Sequence, residues 1–474
     1  MKNNRRDFLK LSGMAGLGLA GSGILSAYTG RELPSSEQTI KLAGKEHKQE
    51  FNMSGYAAPK LDTVRIGYIG LGNRGGAAVK RMTRIAGVSI NALCDIRQEK
   101  VNTAVQALKK TSYKPALYSG TEDAWKKLCE RDDIDLIYIA TPWALHTPIA
   151  LYAMNHGKHV CTEVPAATSL EECWQLVQTS ERTKKHCMML ENCCYDFFEM
   201  LTLNMAQQGF FGEIIHAEGA YIHDILEGNF SKTKNYNQWR LKENIKHKGN
   251  LYPTHGLGPV CQIMNINRGD QMKFLVSVSS DDFMMNEMAN TLATKDAAYK
   301  QFIGKSYNGN MNTSTIKTHK GKTIMVQHDV TSPRPYSRLH LVSGTKGTAQ
   351  KYPEPGRVST SHEGWLSANE MKALEEKYTP NLVRKIGEMA KQVGGHGGMD
   401  FLMDWRTIDC LRNGLPLDQD VYDAALWSSI LPLSEWSVNN RSNSIDVPDF
   451  TGGSWKKNLP VDISLSKGGT TAVI

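Results

Sequence analysis

Val64-Arg-Ile-Gly-Tyr-Ile-Gly70-Leu-Gly72-Asn-Arg-Gly75 is a short apolar run of β type that breaks into a Gly-x-Gly-x-x-Gly turn. A second, mostly apolar run, Val88-Ser-Ile-Asn-Ala-Leu-Cys-Asp95, closes on a carboxylate about twenty residues later. Gly70 permits the tight turn, and Gly72 lets the backbone approach a pyrophosphate. Gly75 lets the opening helix pack closely on its strand, with the helix N-terminus facing the phosphates. A carboxylate at Asp95 binds a ribose 2′-hydroxyl and repels a 2′-phosphate, which favours NAD over NADP. Strand, spacing and acid together separate this stretch from an ordinary glycine-rich turn.

Outward from that turn, residues 62–191 alternate short apolar strands with amphipathic stretches. Helices are predicted over 75–85, 98–110, 122–131, 149–155 and 170–183, with strands ending at Asp95, Ala140, Thr162 and Leu190. Strand and helix in alternation give a parallel sheet whose ligands sit at the carboxyl ends of the strands. Asn73, Arg74, Asp95, the run Thr141 to His146, Glu163-Val164-Pro165 and Glu191-Asn192 all fall there. From residue 192 to 474 the texture changes. Residues 214–223 alternate, placing Tyr221 on one face with Ala217, Gly219 and His223, and strand-like runs recur near 273–279, 323–329 and 338–343. Helices return near 368–376, 399–412 and 421–430. The fold class is α/β: an N-terminal Rossmann dinucleotide-binding domain, then an α+β domain with an open mixed sheet.

The first 30 residues read as an export signal. Arg5-Arg6-Asp7-Phe8-Leu9-Lys10 precedes an uncharged run, residues 11–29, holding five glycines. This is the form of a twin-arginine leader, cleaved or loosely retained rather than a stable membrane span. That route carries folded proteins, which suits an enzyme that collects its cofactor before export to the periplasm or cell surface. Residues 31–61 are polar, lack periodicity and read as a linker. The 474 residues suit two domains after the leader, and 40% hydrophobic residues supply a sizeable core. The net charge of +8 is spread along the chain, which argues against a nucleic-acid stripe. Nine cysteines, without a Cys-x-x-Cys pair, give neither a disulfide framework nor a zinc pattern.

Together these pieces resemble the glucose–fructose oxidoreductase/inositol dehydrogenase superfamily over about residues 62–450. Ordinary members carry Glu-Lys-Pro where this chain has Glu163-Val164-Pro165. Their usual Asp and His slots on a later helix hold Thr254 and Gly258 here, with a histidine at 255 instead. The variant set is itself a pattern. Trp143-x-x-His146, Thr162-Glu-Val-Pro165, Leu190-Glu-Asn192, Tyr252-Pro-Thr-His255 and Arg334-Pro-Tyr336-Ser resemble glycoside hydrolase family 109.

That resemblance implies an NAD-dependent α-N-acetylgalactosaminidase acting on terminal α-linked N-acetylgalactosamine of a glycan or glycoside. It implies oxidation at sugar carbon 3, loss of the carbon 2 proton, departure of the glycosidic oxygen, water addition and reduction, with the cofactor recycled. By the same motifs, NAD would be held by Gly70, Gly72, Asn73, Arg74, Gly75, Asp95, Trp143, His146, Glu163, Val164 and Asn192. The sugar site would be lined by Tyr221, Arg240, Tyr252, Pro253, Thr254, His255 and Tyr336. His255 is the first choice for an acid/base, because a histidine is tunable near neutral pH. Tyr221 and Tyr336 are the other catalytic candidates. No metal is called for, and a homo-oligomer is left open. The competing functions are an NAD-dependent sugar dehydrogenase, against which the missing lysine argues, and a non-catalytic NAD- or sugar-binding protein. Residues 394–400 read as a turn leading into a helix, with His396 near the site as the lesser reading. Glu435 and Trp436 read as surface and packing.

Overall fold

The computed structural model describes residues 35–474; the twin-arginine segment expected over 1–30 lies outside them. Val64–Ile69 (β1) is buried except at Arg65, whose guanidinium pairs with Asp135 at 2.6 Å. It lies between Val88–Cys94 (β2) and Leu136–Ile139 (β4), parallel to both. Ala116–Tyr118 (β3), His159–Thr162 (β5) and Cys187–Met189 (β6) complete a six-stranded sheet in the order β3-β2-β1-β4-β5-β6. The order reverses between β1 and β4, and the helix Asn73–Met82 starts at that crevice, where such sheets bind ligands. β3 was not anticipated, since three half-exposed residues carry no period.

The second sheet has eight strands. Its order is Arg357–Ser359 (β13), Thr348–Gln350 (β12), Ser337–Gly344 (β11), Ile214–Ile222 (β7), Thr323–Asp329 (β10), Asn312–Thr318 (β9), Met272–Ser279 (β8) and Ile445–Asp446 (β14). Only β7 and β10 run parallel; the other pairs are antiparallel. β9, β12, β13 and β14 add to the strands legible in the sequence. The helix Thr254–Ile263 packs on β7 at a glycine contact. A Cβ on Gly219 would lie 2.4 Å from the Gly256 carbonyl oxygen, and one on Gly256 2.1 Å from the Ala220 nitrogen. Backbone meets backbone there, which draws the start of this helix onto the strand.

Two late helices return to the first sheet. Met399–Asn413 packs on β1 and on Asn73–Met82, and Val421–Asn439 packs on Leu170–Thr183 and β6. The stretch read as a linker is also built in. Ser36–Ala43 is a helix capped by Ser35, which accepts the Gln38 N–H at 3.2 Å. Trp174 Nε1 donates to the Leu42 carbonyl at 3.0 Å, and His47 pairs with Glu181 at 2.8 Å. Its polar sequence hides this because only Thr39 and Ala43 of the helix are buried. Among the described residues no helix is long and apolar enough to cross a membrane.

Candidate active site

The glycine turn has room on one side only. Gly70 has φ +88°, and a Cβ there would lie 2.5 Å from the Ala140 carbonyl oxygen. A Cβ on Gly75 would sit 1.9 Å from the Gly70 oxygen. A Cβ on Gly72 would meet nothing within 4 Å, so the backbone there faces open space. Asp95 is buried beside the turn, where Oδ2 accepts the Leu71 N–H at 2.7 Å and Oδ1 the Arg97 N–H at 2.9 Å. An open glycine turn, a helix N-terminus and a positioned carboxylate fit a dinucleotide.

A cavity of about 530 Å³ runs from this turn into the second domain. It is lined by Gly70, Gly72, Asn73, Arg74, Asp95, Trp143, His146, Glu163, Val164 and Asn192 from the first domain. Tyr221, Arg240, Tyr252 and His255 complete its far wall. Gly75 supports the turn from behind. Pro253 and Thr254 do not line the cavity; they start the helix that presents His255. Tyr336 does not line it either. Its ring stands 5.0 Å from that of His223, and Arg338 donates to its hydroxyl at 3.1 Å. Both ring nitrogens of His146 face backbone carbonyls, Pro165 at 2.7 Å and Thr141 at 2.8 Å. It braces the loops after β4 and β5 and offers the cavity only its ring carbons.

His255 is the one residue of its ten-residue helix that is not buried. Its Nδ1 lies 2.7 Å from Glu191 Oε1, and Glu191 has no exposed surface. Burial pushes the Glu191 carboxyl up, but His255 beside it outweighs burial and holds it below the usual range. Sequence reasoning placed Glu191 at a strand end without a role. Gly258 explains how the pair forms: a Cβ there would lie 2.8 Å from Glu191 Cγ. The departure from histidine at 258 makes room for the carboxylate that orients the histidine at 255. Glu191, Cys193 and His255 offer donor atoms within 4.8 Å of one another. Burial pushes the Cys193 thiol far up, so it stays protonated, and Glu191 accepts the Cys193 N–H at 3.1 Å. The dyad and this loop account for the cluster.

Tyr221 Oη lies 2.9 Å from His223 Nδ1. Burial, then Arg240 and His255, lower the His223 pKa, so the ring is neutral at pH 7. Burial raises Tyr221, which stays a phenol. The Arg240 guanidinium stands 5.3 Å from the Trp143 ring centroid and 5.5 Å from that of Tyr252. His223 was missed as a site residue because a histidine at a strand end carries no signal alone.

Residues 394–400 contribute more than a turn. His396 lines the cavity and its Nδ1 lies 2.9 Å from Asp400 Oδ2. Asp400 accepts from Arg74 at 2.9 Å and from Asn192 at 2.6 Å, and Arg74 also donates to Glu163 at 2.9 Å. Burial pushes Asp400 up, but His396, Arg74 and Arg81 drive it well below the usual range. Glu435 is likewise no surface residue. It is buried, with Oε2 3.0 Å from His247 Nδ1 and Oε1 accepting the Lys248 N–H at 2.9 Å.

Residues 64–191 match the model of the oxidoreductase family with an NAD-binding Rossmann fold. Residues 195–457 match the C-terminal domain of glycosyl hydrolase 109. A family 109 protein of Porphyromonas gingivalis is 48% identical, covering 94% of this chain and 97% of its own. An alpha-N-acetylgalactosaminidase of Bacteroides fragilis is 53% identical, covering 85% and 95%. Among solved structures, an oxidoreductase domain protein from Kribbella flavida shares the fold with a TM-score of 0.64 at 17% identity, covering 82% of this chain and 100% of that one. Levoglucosan dehydrogenase in complex with NADH and levoglucosan shares it with a TM-score of 0.60, also at 17% identity and with the same coverage. The NAD-binding first domain and the family 109 second domain meet at one cavity, and the chain belongs to glycosyl hydrolase family 109.

Proposed function

We propose that this chain is an α-N-acetylgalactosaminidase that oxidises the sugar transiently and restores it within one turnover. One continuous cavity carries the reading: it joins the glycine turn and Asp95 to Tyr221, Tyr252 and His255. The name of the 53% identical Bacteroides fragilis relative supports the substrate. Bound NAD supplies reversible oxidation at sugar carbon 3, which acidifies the carbon 2 proton, and ends unchanged.

The residues of the chain handle the protons. Glu191 engages His255 Nδ1, so Nε2 is the nitrogen left to take the carbon 2 proton. Val164 stands in the slot where ordinary dehydrogenases keep a lysine, and it is buried. Tyr221 and His223 supply the missing relay: the phenol meets a substrate hydroxyl and the neutral His223 accepts from the phenol. Arg240, among aromatic rings, keeps a fixed positive charge at the sugar end. Export by the twin-arginine route fits this chemistry, because a recycled cofactor travels with the folded enzyme; the support is the Arg5-Arg6 leader.

The test is hydrolysis of a nitrophenyl α-N-acetylgalactosaminide in heavy water without added cofactor. Turnover with deuterium on carbon 2 of the released sugar is expected, because direct displacement never breaks that bond. A shielded base that returns the same proton would instead slow a substrate deuterated at carbon 2. The absence of both deuterium uptake and an isotope effect would reject the redox route, and dependence on added NAD would favour a net dehydrogenase.

A further inference from the structure

The cavity beside the glycine turn has an adenosine end. Asp95 marks the ribose there, and Ile96, Arg97 and Thr121 continue the wall beyond it. The facing wall comes from the second domain, from the stretch Lys234-Asn-Tyr-Asn237. That stretch is held in shape from its own side. Asn235 Nδ2 donates to the Gly228 carbonyl at 3.0 Å, Gln238 Nε2 to the Phe230 carbonyl at 2.7 Å, and the Lys234 N–H to Ser231 Oγ at 3.1 Å. It reaches the first domain through a ring: the Arg97 guanidinium carbon stands 4.9 Å from the ring centroid of Tyr236. Arg97 is itself tied to the ribose carboxylate. Its N–H donates to Asp95 Oδ1 at 2.9 Å, and its Nε lies 3.5 Å from the same oxygen.

We propose that residues 234–237 are a strap over the adenosine half of NAD, latched by Tyr236 on Arg97, and that opening this latch limits release of the cofactor. Both partners of the latch are half-buried and line the cavity, so a nucleotide held at Asp95 lies against them. Lys234 and Lys242 line the same wall and bring positive charge to an anionic dinucleotide. The glycine turn and Asp95 grip the nucleotide from the first domain; the strap grips it from the second. A dehydrogenase that exchanges its nucleotide at every turnover is slowed by such a strap. A reaction that hands the hydride back to the same cofactor is not.

Tyr236→Ala should lose bound NAD roughly fivefold or more faster than wild type when the loaded protein is dialysed, read by nucleotide chromatography. Tyr236→Phe keeps the ring face and should release within about twofold of wild type. Release from Tyr236→Ala at the wild-type rate would overturn the strap. Equal acceleration in both variants would move the effect to the hydroxyl and overturn the latch. Arg97→Ala tests the pair. Ring and guanidinium act together, so Tyr236→Ala should add little to it, and accelerations that multiply would show that Tyr236 does not act through Arg97. Melting temperatures in saturating NAD report the folding of each variant. If Tyr236→Ala does not fold, hydrogen exchange of the wild type before and after its nucleotide is dialysed away reads the same contact. Peptides covering residues 234–237 should exchange faster in the emptied protein, and equal exchange would overturn the strap. Release and exchange are read without substrate, so a chain that cleaves no glycoside still tests the strap.

Discussion

His255 and Glu191 form a pair from positions 64 apart, and the proposed mechanism divides one acid–base task between them. The imidazole lines the cavity, and in the proposed mechanism it exchanges the proton while the carboxylate fixes which nitrogen is presented. Removing the imidazole should lower kcat by roughly 10²–10⁴-fold, the usual scale of lost acid–base help. His255→Ala should keep its NAD but melt at a lower temperature, because it leaves the buried Glu191 carboxylate without its partner. Glu191→Gln preserves shape and loses the charge that steadies the histidine. It should lower kcat by a smaller factor and leave KM and bound NAD unchanged. A His255→Ala enzyme turning over at the wild-type rate would remove the histidine from the chemistry, and loss of NAD from Glu191→Gln would make that carboxylate structural. The motif made His255 legible from sequence. Glu191 was not assigned, since its partner lies in another domain and its space depends on the absent side chain at Gly258.

The helices Asn73–Met82 and Met399–Asn413 pack on each other beside the glycine turn. Arg74 meets Asp400 at 2.9 Å and Arg81 meets Asp404 at 2.7 Å. Asp400, with two arginines and His396 near it, stays ionised against burial. Burial wins at Asp404, which is pushed up to about 6 despite Arg81. The late helix thus pins the first helix after the glycine turn. Asp400→Asn leaves Arg74 and Asn192 without their charged acceptor, at a cost of about 1–3 kcal/mol. The variant should release NAD at least tenfold faster on dialysis, read by nucleotide chromatography, while β-sheet circular dichroism stays unchanged. Retention equal to wild type would show that the turn holds its shape alone. The glycine turn and the strands of the first sheet were legible because their signals are local: a period, a turn and an acid at fixed spacing. The Arg74–Asp400 link was not, because it joins positions 326 apart. The Asn381–Val393 helix was also missed, and Ser36–Ala43 was read as linker because a short helix with two buried residues leaves no apolar stripe. Glu435 was read as surface, and the ion pair with His247 that pays for its burial joins positions too far apart to show in the sequence.

Buried histidines give the whole molecule a stability window in pH. His247 sits between Glu435 at 3.0 Å and Glu243 at 3.4 Å and ties the helix Trp239–Lys246 to Val421–Asn439. Burial pulls its pKa down, but the two carboxylates outweigh burial and hold it up to about 9. A raised pKa stabilises the fold fully below the unfolded value near 6.5, and that stability is lost as pH rises through about 9. The shift corresponds to about 3 kcal/mol. His186 and His328, pushed down to about 4 by burial, and His340, to about 3, act in the opposite sense. Each must be neutral to fold, so their contribution is present above about 6.5 and declines as pH falls towards 4. Asp404 and Asp420, both pushed up to about 6 chiefly by burial, offset part of the acid loss because they take up protons in the folded state. The histidine protons are unopposed between 6.5 and 6, and the alkaline arm below the range where thiols ionise belongs to His247. Melting temperature, measured with NAD in fixed excess, should therefore peak near pH 6.5. His247→Gln should be less stable by about 3 kcal/mol at that peak, and its gap to wild type should close steadily by pH 9. Parallel curves for the two proteins from pH 6.5 to 9 would mean that His247 is neutral in the folded state, and that the helix contact rests on packing and not on charge.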